Sequence, residues 1–235
     1  MELLLLSNST LPGEPFFTWP RPFVTAFLQG RAKVAFVPFA AMESQQDEYS
    51  ERVREVFAPI GVELIDLHRE QDPIAALDRA NAVVVGGGNT FLLLRALYRT
   101  QLMRAIAEKV RHGMPYLGWS AGSNVACPTV MTTNDMPIVE PPSLKAMHLI
   151  PFQINPHYTE GTIPGHGGES RDQRIAEYLS ANPKMPVVGL REGSLLHVKG
   201  GQVTLHGSDM RLFRHGRPVI DVPNGSTFRM DLAGL

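Results

Sequence analysis

Cysteine is nearly absent from this chain: of its 235 residues only Cys127 carries a thiol. One thiol closes no intramolecular disulfide and builds no cysteine-rich zinc site, which suits a reducing cytosol. An excess of charge of either sign is lacking too. Lys and Arg number 22 against 23 Asp and Glu, for a formal net charge of -1. No basic run interleaves with aromatics, so nucleic acid is not expected as a partner. No apolar run approaches the roughly 20 residues that span a bilayer. The run at 3–6 follows Glu2 instead of a basic segment and precedes no small-residue cleavage site, so it reads as a buried strand, not a leader. A soluble, cytoplasmic protein without a membrane partner follows. No two histidines stand three to five residues apart and H-E-x-x-H is missing, so neither a metal nor another cofactor is expected.

What is present is enough apolar sequence, 43% of the chain, to bury one substantial core, read as a single domain over 1–235. Strand-like runs at 2–7, 33–39, 62–67, 82–85 and 115–119 alternate with helical patterns at 47–58, 72–80, 91–97 and 102–110. The strands are continuously apolar and show no in/out alternation, the mark of a parallel sheet covered on both faces. Past 128 the pattern loosens into a proline-rich loop, a strand at 149–154, a helix at 170–179 and a strand at 187–190. From Ser194 onward, short runs separated by Gly-Gly and His-Gly-Arg-Pro read as antiparallel hairpins. The fold class is therefore α/β: a mostly parallel sheet, helices on both faces, and antiparallel hairpins at the C-terminal end. Ligands of such sheets gather beyond the strand C-termini.

At that edge lies Gly118-Trp119-Ser120-Ala121-Gly122, a Gly-x-Ser-x-Gly turn between a buried strand and a helix of small residues. Such a turn strains the serine backbone, needs tiny neighbours, and presents the hydroxyl to the helix N-terminus. Ser120 is the candidate nucleophile; the plainer alternative for the pentapeptide alone is an ordinary Gly/Ser-rich connection. A serine hydroxyl attacks only when a base takes its proton and an acid orients that base. His157 follows an apolar strand and precedes a glycine-rich loop, which makes it the base. His68, His112, His206 and His215 sit in turn-like or helix-end surroundings, and His148, His166 and His197 stay undecided. Asp135 and Glu192 compete as the acid: the first gives the order Ser, Asp, His and the second Ser, His, Glu, and order alone does not choose. Gly86-Gly87-Gly88 follows a buried strand, so the Gly88 amide can join that of Ala121 in holding an oxyanion. A phosphate-cradling loop is the rival, weakened by the absence of G-x-G-x-x-G and of a Walker Lys-Ser/Thr pair.

Taken together, Gly86-Gly87-Gly88-Asn89-Thr90, Gly118-Trp119-Ser120-Ala121-Gly122, Thr132-Thr133-Asn134-Asp135-Met136-Pro137-Ile138-Val139 and Gln153-Ile154-Asn155-Pro156-His157 resemble the peptidase E family of cytosolic α-aspartyl dipeptidases. The likeness begins at Met1 and covers nearly the whole chain. It implies a flavodoxin-like sheet related to class I glutamine amidotransferases, with serine in place of their cysteine. It also implies cleavage of Asp-Xaa dipeptides with a free N-terminal aspartate, by Ser120 with His157 as base, without a metal. That kinship favours Glu192 over Asp135 as the acid. An aspartyl carboxylate calls for an arginine fork: Arg171, opening a helix close after His157, comes first and Arg191 second. Glu169 or Asp135 would meet the substrate's α-amine. Ser123, where the family usually has alanine, departs from the pattern. A monomer or homodimer is expected.

Overall fold

The computed structural model describes residues 1–161 and 167–235, so His166 lies outside the described residues. Five strands, β1 Glu2–Leu6, β2 Lys33–Val37, β3 Glu63–Asp66, β4 Ala82–Val85 and β5 Tyr116–Trp119, pair in parallel in the order β3-β2-β4-β5-β1. Each strand is buried on both faces, as continuous apolar runs require. In β1, Leu3 and Leu5 belong to one apolar layer and Leu4 and Leu6 to the other. The first layer is completed by α4 Thr90–Arg99, α5 Leu102–Arg111 and α6 Ala121–Ala126, through Leu93, Ile106 and Val125. The second is completed by α1 Arg21–Leu28 and α2 Gln46–Phe57, through Val24, Phe27, Val53 and Phe57. A short helix, α3 Pro73–Ala76, is opened by Asp72, whose carboxylate accepts from the amides of Ile74 and Ala75. Full burial of each such Leu, Val or Phe is worth about 1.5–3 kcal/mol.

After α6 the chain leaves the main sheet. Strand β6 Gln153–Tyr158 and β7 Val187–Arg191 pair in parallel, and β10 Met210–Phe213 and β11 Ile220–Val222 extend them antiparallel into a separate four-stranded sheet. One face of this second sheet shares the first apolar layer through Ile154, Val188, Leu190 and Met210. The other carries α7 Arg171–Ala181, whose Ile175 and Leu179 pack on Tyr158, Val187 and Phe213. The remaining strands, β8 Ser194–Lys199, β9 Gln202–Gly207 and β12 Thr227–Arg229, return to the main sheet, where β8 lies antiparallel to β1. No helix among the described residues is long and apolar enough to cross a membrane.

The α/β class, the mostly parallel main sheet and the antiparallel C-terminal strands match the sequence-based expectation. Two corrections concern the site. The strand expected at 149–154 begins later, at Gln153, and runs through Pro156 to Tyr158; a proline is tolerated there because β6 is an edge strand. The second sheet was not foreseen, so His157 and Ser120 stand on different sheets.

Candidate active site

Ser120 joins β5 to α6 with φ 53° and ψ -113°, a strained conformation for a residue with a Cβ. The neighbours explain how it persists. A Cβ on Gly118 would come 2.6 Å from the carbonyl oxygen of Gly122, and one on Gly122 would come 2.2 Å from that of Val85. Only hydrogen fits at either place. The Tyr116 hydroxyl donates to the Gly122 carbonyl at 2.6 Å, and the Ser123 hydroxyl is shared between the carbonyls of Leu6 at 2.7 Å and Gly118 at 3.0 Å. Ser123 thereby clips the first turn of α6 to β1 and β5.

Opposite the turn, His157 sits at an irregularity in the β6–β7 register, with φ 51°. Its backbone amide donates to Ser7 Oγ at 2.8 Å, and Ser7 Oγ donates to the Leu190 carbonyl at 2.8 Å. Ser7 directly follows β1, so one buried hydroxyl stitches the end of the main sheet to β6 and β7. The imidazole Nε2 lies 3.0 Å from Ser120 Oγ and Nδ1 lies 2.7 Å from Glu192 Oε1. A carboxylate only accepts, so Nδ1 carries the proton and Nε2 presents its lone pair to the serine hydroxyl. Glu192 occupies the turn between β7 and β8, where the chain crosses from one sheet to the other. That turn is held by Asn8 Oδ1, which accepts from the Gly193 amide at 2.9 Å.

Asp135 does not bond to His157. Its Oδ2 accepts from the amide and hydroxyl of Thr90, at 2.7 and 2.6 Å, and from the hydroxyl of Thr133 at 3.2 Å. It nevertheless lines the same cavity as Ser120 and His157, a space of about 490 Å³. The loop carrying it is tied to the histidine's strand: Asn134 Nδ2 donates to the Pro156 carbonyl, and the Thr132 hydroxyl donates to that of Ile154.

Two of the three glycines, Gly87 and Gly88, line the same cavity. A Cβ on Gly87 would meet Ser120 Cβ at 3.0 Å; Gly88, at φ 136°, would place one 2.5 Å from the Ala40 carbonyl. Among the described residues no hydrogen bond engages the amides of Gly88 or Ala121, leaving two N–H groups beside the serine. Asn89 then caps α4 by accepting from the amides of Phe91 and Leu92. Tyr49 and Arg52, three residues apart on α2, reach the cavity and were missed from sequence. Their i,i+3 spacing puts them on one helix face, but an arginine on an exposed helix reads as solvated. The Tyr49 hydroxyl accepts from Trp119 Nε1 at 3.0 Å, and burial holds this phenol well above its ordinary value, so it is a neutral wall.

The expected substrate-binding residues are dispersed. Arg171 opens α7, fixed by a capping box in which Ser170 and Gln173 bond reciprocally. Burial, then the charge of Arg174, depresses its guanidinium, and among the described residues no carboxylate pairs with it. Arg191 is engaged elsewhere, 3.0 Å from both Glu160 and Asp221. Glu169 is exposed, 3.9 Å from Arg174. Neither arginine nor Glu169 lines the cavity. Of the other histidines, His112 bonds the Glu108 carbonyl at the end of α5, His68 pairs with Asp47, and His197 with Glu2. His206, expected in a turn, lies within β9 against Phe23, because buried Val203 and Leu205 alternate with it along the strand. His148 and His215 are exposed.

The profile of peptidase family S51 matches residues 3–206. Proteins named Peptidase E from Salmonella paratyphi A and Salmonella typhimurium are each 45% identical over 229 residues, covering 97% of this chain and all of theirs. Among solved structures, a protein from Listeria monocytogenes EGD-e, provisionally described as a peptidase E, superposes with a TM-score of 0.64 at 25% identity, covering 88% of this chain and 98% of its own. A peptidase from an acI-B1 actinobacterium shares the fold, with a TM-score of 0.72 at 17% identity over 97% and 96% of the two chains.

Proposed function

The chain belongs to peptidase family S51, and from that premise we propose that it hydrolyses dipeptides with a free N-terminal aspartate, Asp-Xaa, through an aspartyl-enzyme on Ser120. The observation that carries this reading is the run of contacts Ser120 Oγ, His157 Nε2, His157 Nδ1, Glu192 Oε1, at 3.0 and 2.7 Å. In it, Ser120 Oγ attacks the aspartyl carbonyl carbon while Nε2 takes the hydroxyl proton. The carbonyl π pair moves onto oxygen, where the Gly88 and Ala121 amides receive it; one such donor is worth about 3 kcal/mol. Glu192 stabilises the imidazolium. Collapse breaks the C–N bond, Nε2 returns its proton to the leaving amine, and a water activated by the same nitrogen then hydrolyses the ester.

Substrate recognition follows from charge. Arg171 stands off the serine's cavity, but a half-buried guanidinium with no carboxylate partner among the described residues is costly to hold, which suits it to the aspartyl side chain; Arg191, already paired twice, is the lesser choice. Asp135, which lines the cavity and has an oxygen without a partner among the described residues, is suited to the α-amine, and Glu169 on the surface is a remoter candidate. Cys127 is buried and pushed up to about 12, an inert thiol compatible with a cytoplasmic protein acting as monomer or homodimer without a cofactor. Replacement of Ser120 by alanine should abolish Asp-Leu hydrolysis, with kcat down by about 10⁴-fold or more, while the circular dichroism spectrum is kept. Retained activity would remove the nucleophile. For specificity, Arg171→Met should lower kcat/KM for Asp-Leu far more than for Asn-Leu.

A further inference from the structure

The cavity holding Ser120 does not end at the glycine loop. A second cavity of about 380 Å³ adjoins it, and Tyr49, Arg52, Gly87 and Gly88 line both. The two differ in chemistry. Around Ser120 the wall carries Asn8, Asp135 and His157 beside Phe16 and Trp119, whereas the neighbour sets Ala40, Met42, Leu92 and Ile138 against a polar edge of Gln45, Glu48 and Asn89. Met42 and Ile138 are 52% and 55% exposed, so part of that apolar lining is open to solvent. Among the described residues Arg52 is the one arginine or lysine lining either space. Among the described residues it pairs with no carboxylate; its guanidinium rests over the Phe16 ring, 4.8 Å from the centroid, which orients the fork without neutralising it. Glu48, one turn earlier on α2, lines the apolar cavity without bonding to Arg52.

A dipeptide presents two groups beyond its scissile bond, a side chain and a free carboxylate, both attached to one Cα. They therefore need an apolar space and a cation side by side, on the far side of the oxyanion amides from the aspartyl residue. Building on the reading above, we propose that Arg52 binds the C-terminal carboxylate of the leaving residue while the adjoining cavity takes its side chain, so that Arg52 is the ruler that restricts cleavage to dipeptides with an apolar second residue. A longer peptide offers a neutral amide at that place and forfeits the charge-assisted bond. Glu48 repels acidic side chains from the apolar space and keeps the carboxylate at the Arg52 end.

The test compares kcat/KM for Asp-Leu and Asp-Leu-amide in the unaltered protein and in Arg52→Met, with Arg52→Gln as a second variant in case the first does not fold. The unaltered protein should prefer the free acid by about 10- to 100-fold, mainly through KM, and either substitution should erase that preference by lowering the rate on Asp-Leu. Equal losses on acid and amide would assign Arg52 to the aspartyl side and overturn the ruler, as would an unaltered protein indifferent to the amide. If the folded, unaltered protein cleaves neither substrate, the aspartyl reading beneath it falls as well; if it cleaves both through Ser120 and the preference survives substitution, only the ruler falls.

Discussion

Glu192 and Asp135 are the two acids weighed for one imidazole, and their partners divide the work between them. Glu192 meets Nδ1, whereas Asp135 is committed to Thr90 and Thr133 through a single oxygen. Substituting Glu192 by Gln puts an amide donor where an acceptor is needed and favours the tautomer with its proton on Nε2, so kcat should fall by about 10³- to 10⁴-fold. Asp135→Asn leaves the imidazole pairing intact and should act chiefly on KM, with kcat changed less than about tenfold. Steady-state kinetics on Asp-Leu separate the two; a larger kcat loss from Asp135→Asn would reverse the assignment. From sequence the serine, the histidine and Glu192 were readable as types at strand exits, and Asp135 as an acid in a loop. The choice between the acids was not readable from residue order, because it turns on where the β7–β8 turn crosses between sheets; only the family resemblance leaned to Glu192. Arg52 was invisible for a different reason: nothing local distinguishes a helix cation facing a cavity from one facing water.

The strand-turn-helix around Ser120 was the most readable element, since its rule is local: a strained serine forces hydrogen at the positions two before and two after it. The close approach of Gly122 to Val85 makes Gly122→Ala a sharp probe. The added methyl must push α6 from β4, at a cost of about 1–3 kcal/mol, visible as a lower urea midpoint at unchanged slope, with activity reduced further because Ser120 moves with α6. Strand β6 was harder. Pro151 and Pro156 bracket its start and interior, and its misplaced beginning shows that an edge strand tolerates what a central one excludes. His206 was misread because the short β9 alternation around it was outweighed by the adjacent glycine. Burial, then the neighbouring His197, depresses its pKa below 6.5. The unfolded chain thus takes up that proton first as pH falls, so stability from this residue is full above the ordinary value and declines on acidification toward the folded one. His206→Gln should flatten the pH dependence of the urea midpoint between about pH 7 and 5.

At the scale of the whole molecule, composition and strand pattern yielded the class and the main sheet but not the division into two. The paired sheets share an apolar layer yet exchange few polar bonds at the site, chiefly those of Ser7 and Asn8. Ser7→Ala removes the partner of the half-buried His157 amide and of the buried Leu190 carbonyl, a loss of about 1–3 kcal/mol. If it loosens the seam, dipeptide hydrolysis in this variant will fade at lower urea than the far-UV signal; coincident midpoints would show the two sheets coming apart only with everything else. Ser120 and His157 thus ride on separate carriers, joined at the site by a handful of polar bonds from Ser7, Asn8 and Asn124. Should that seam loosen first, a preparation of the Ser7→Ala variant would look intact by bulk spectroscopy and yet be inert.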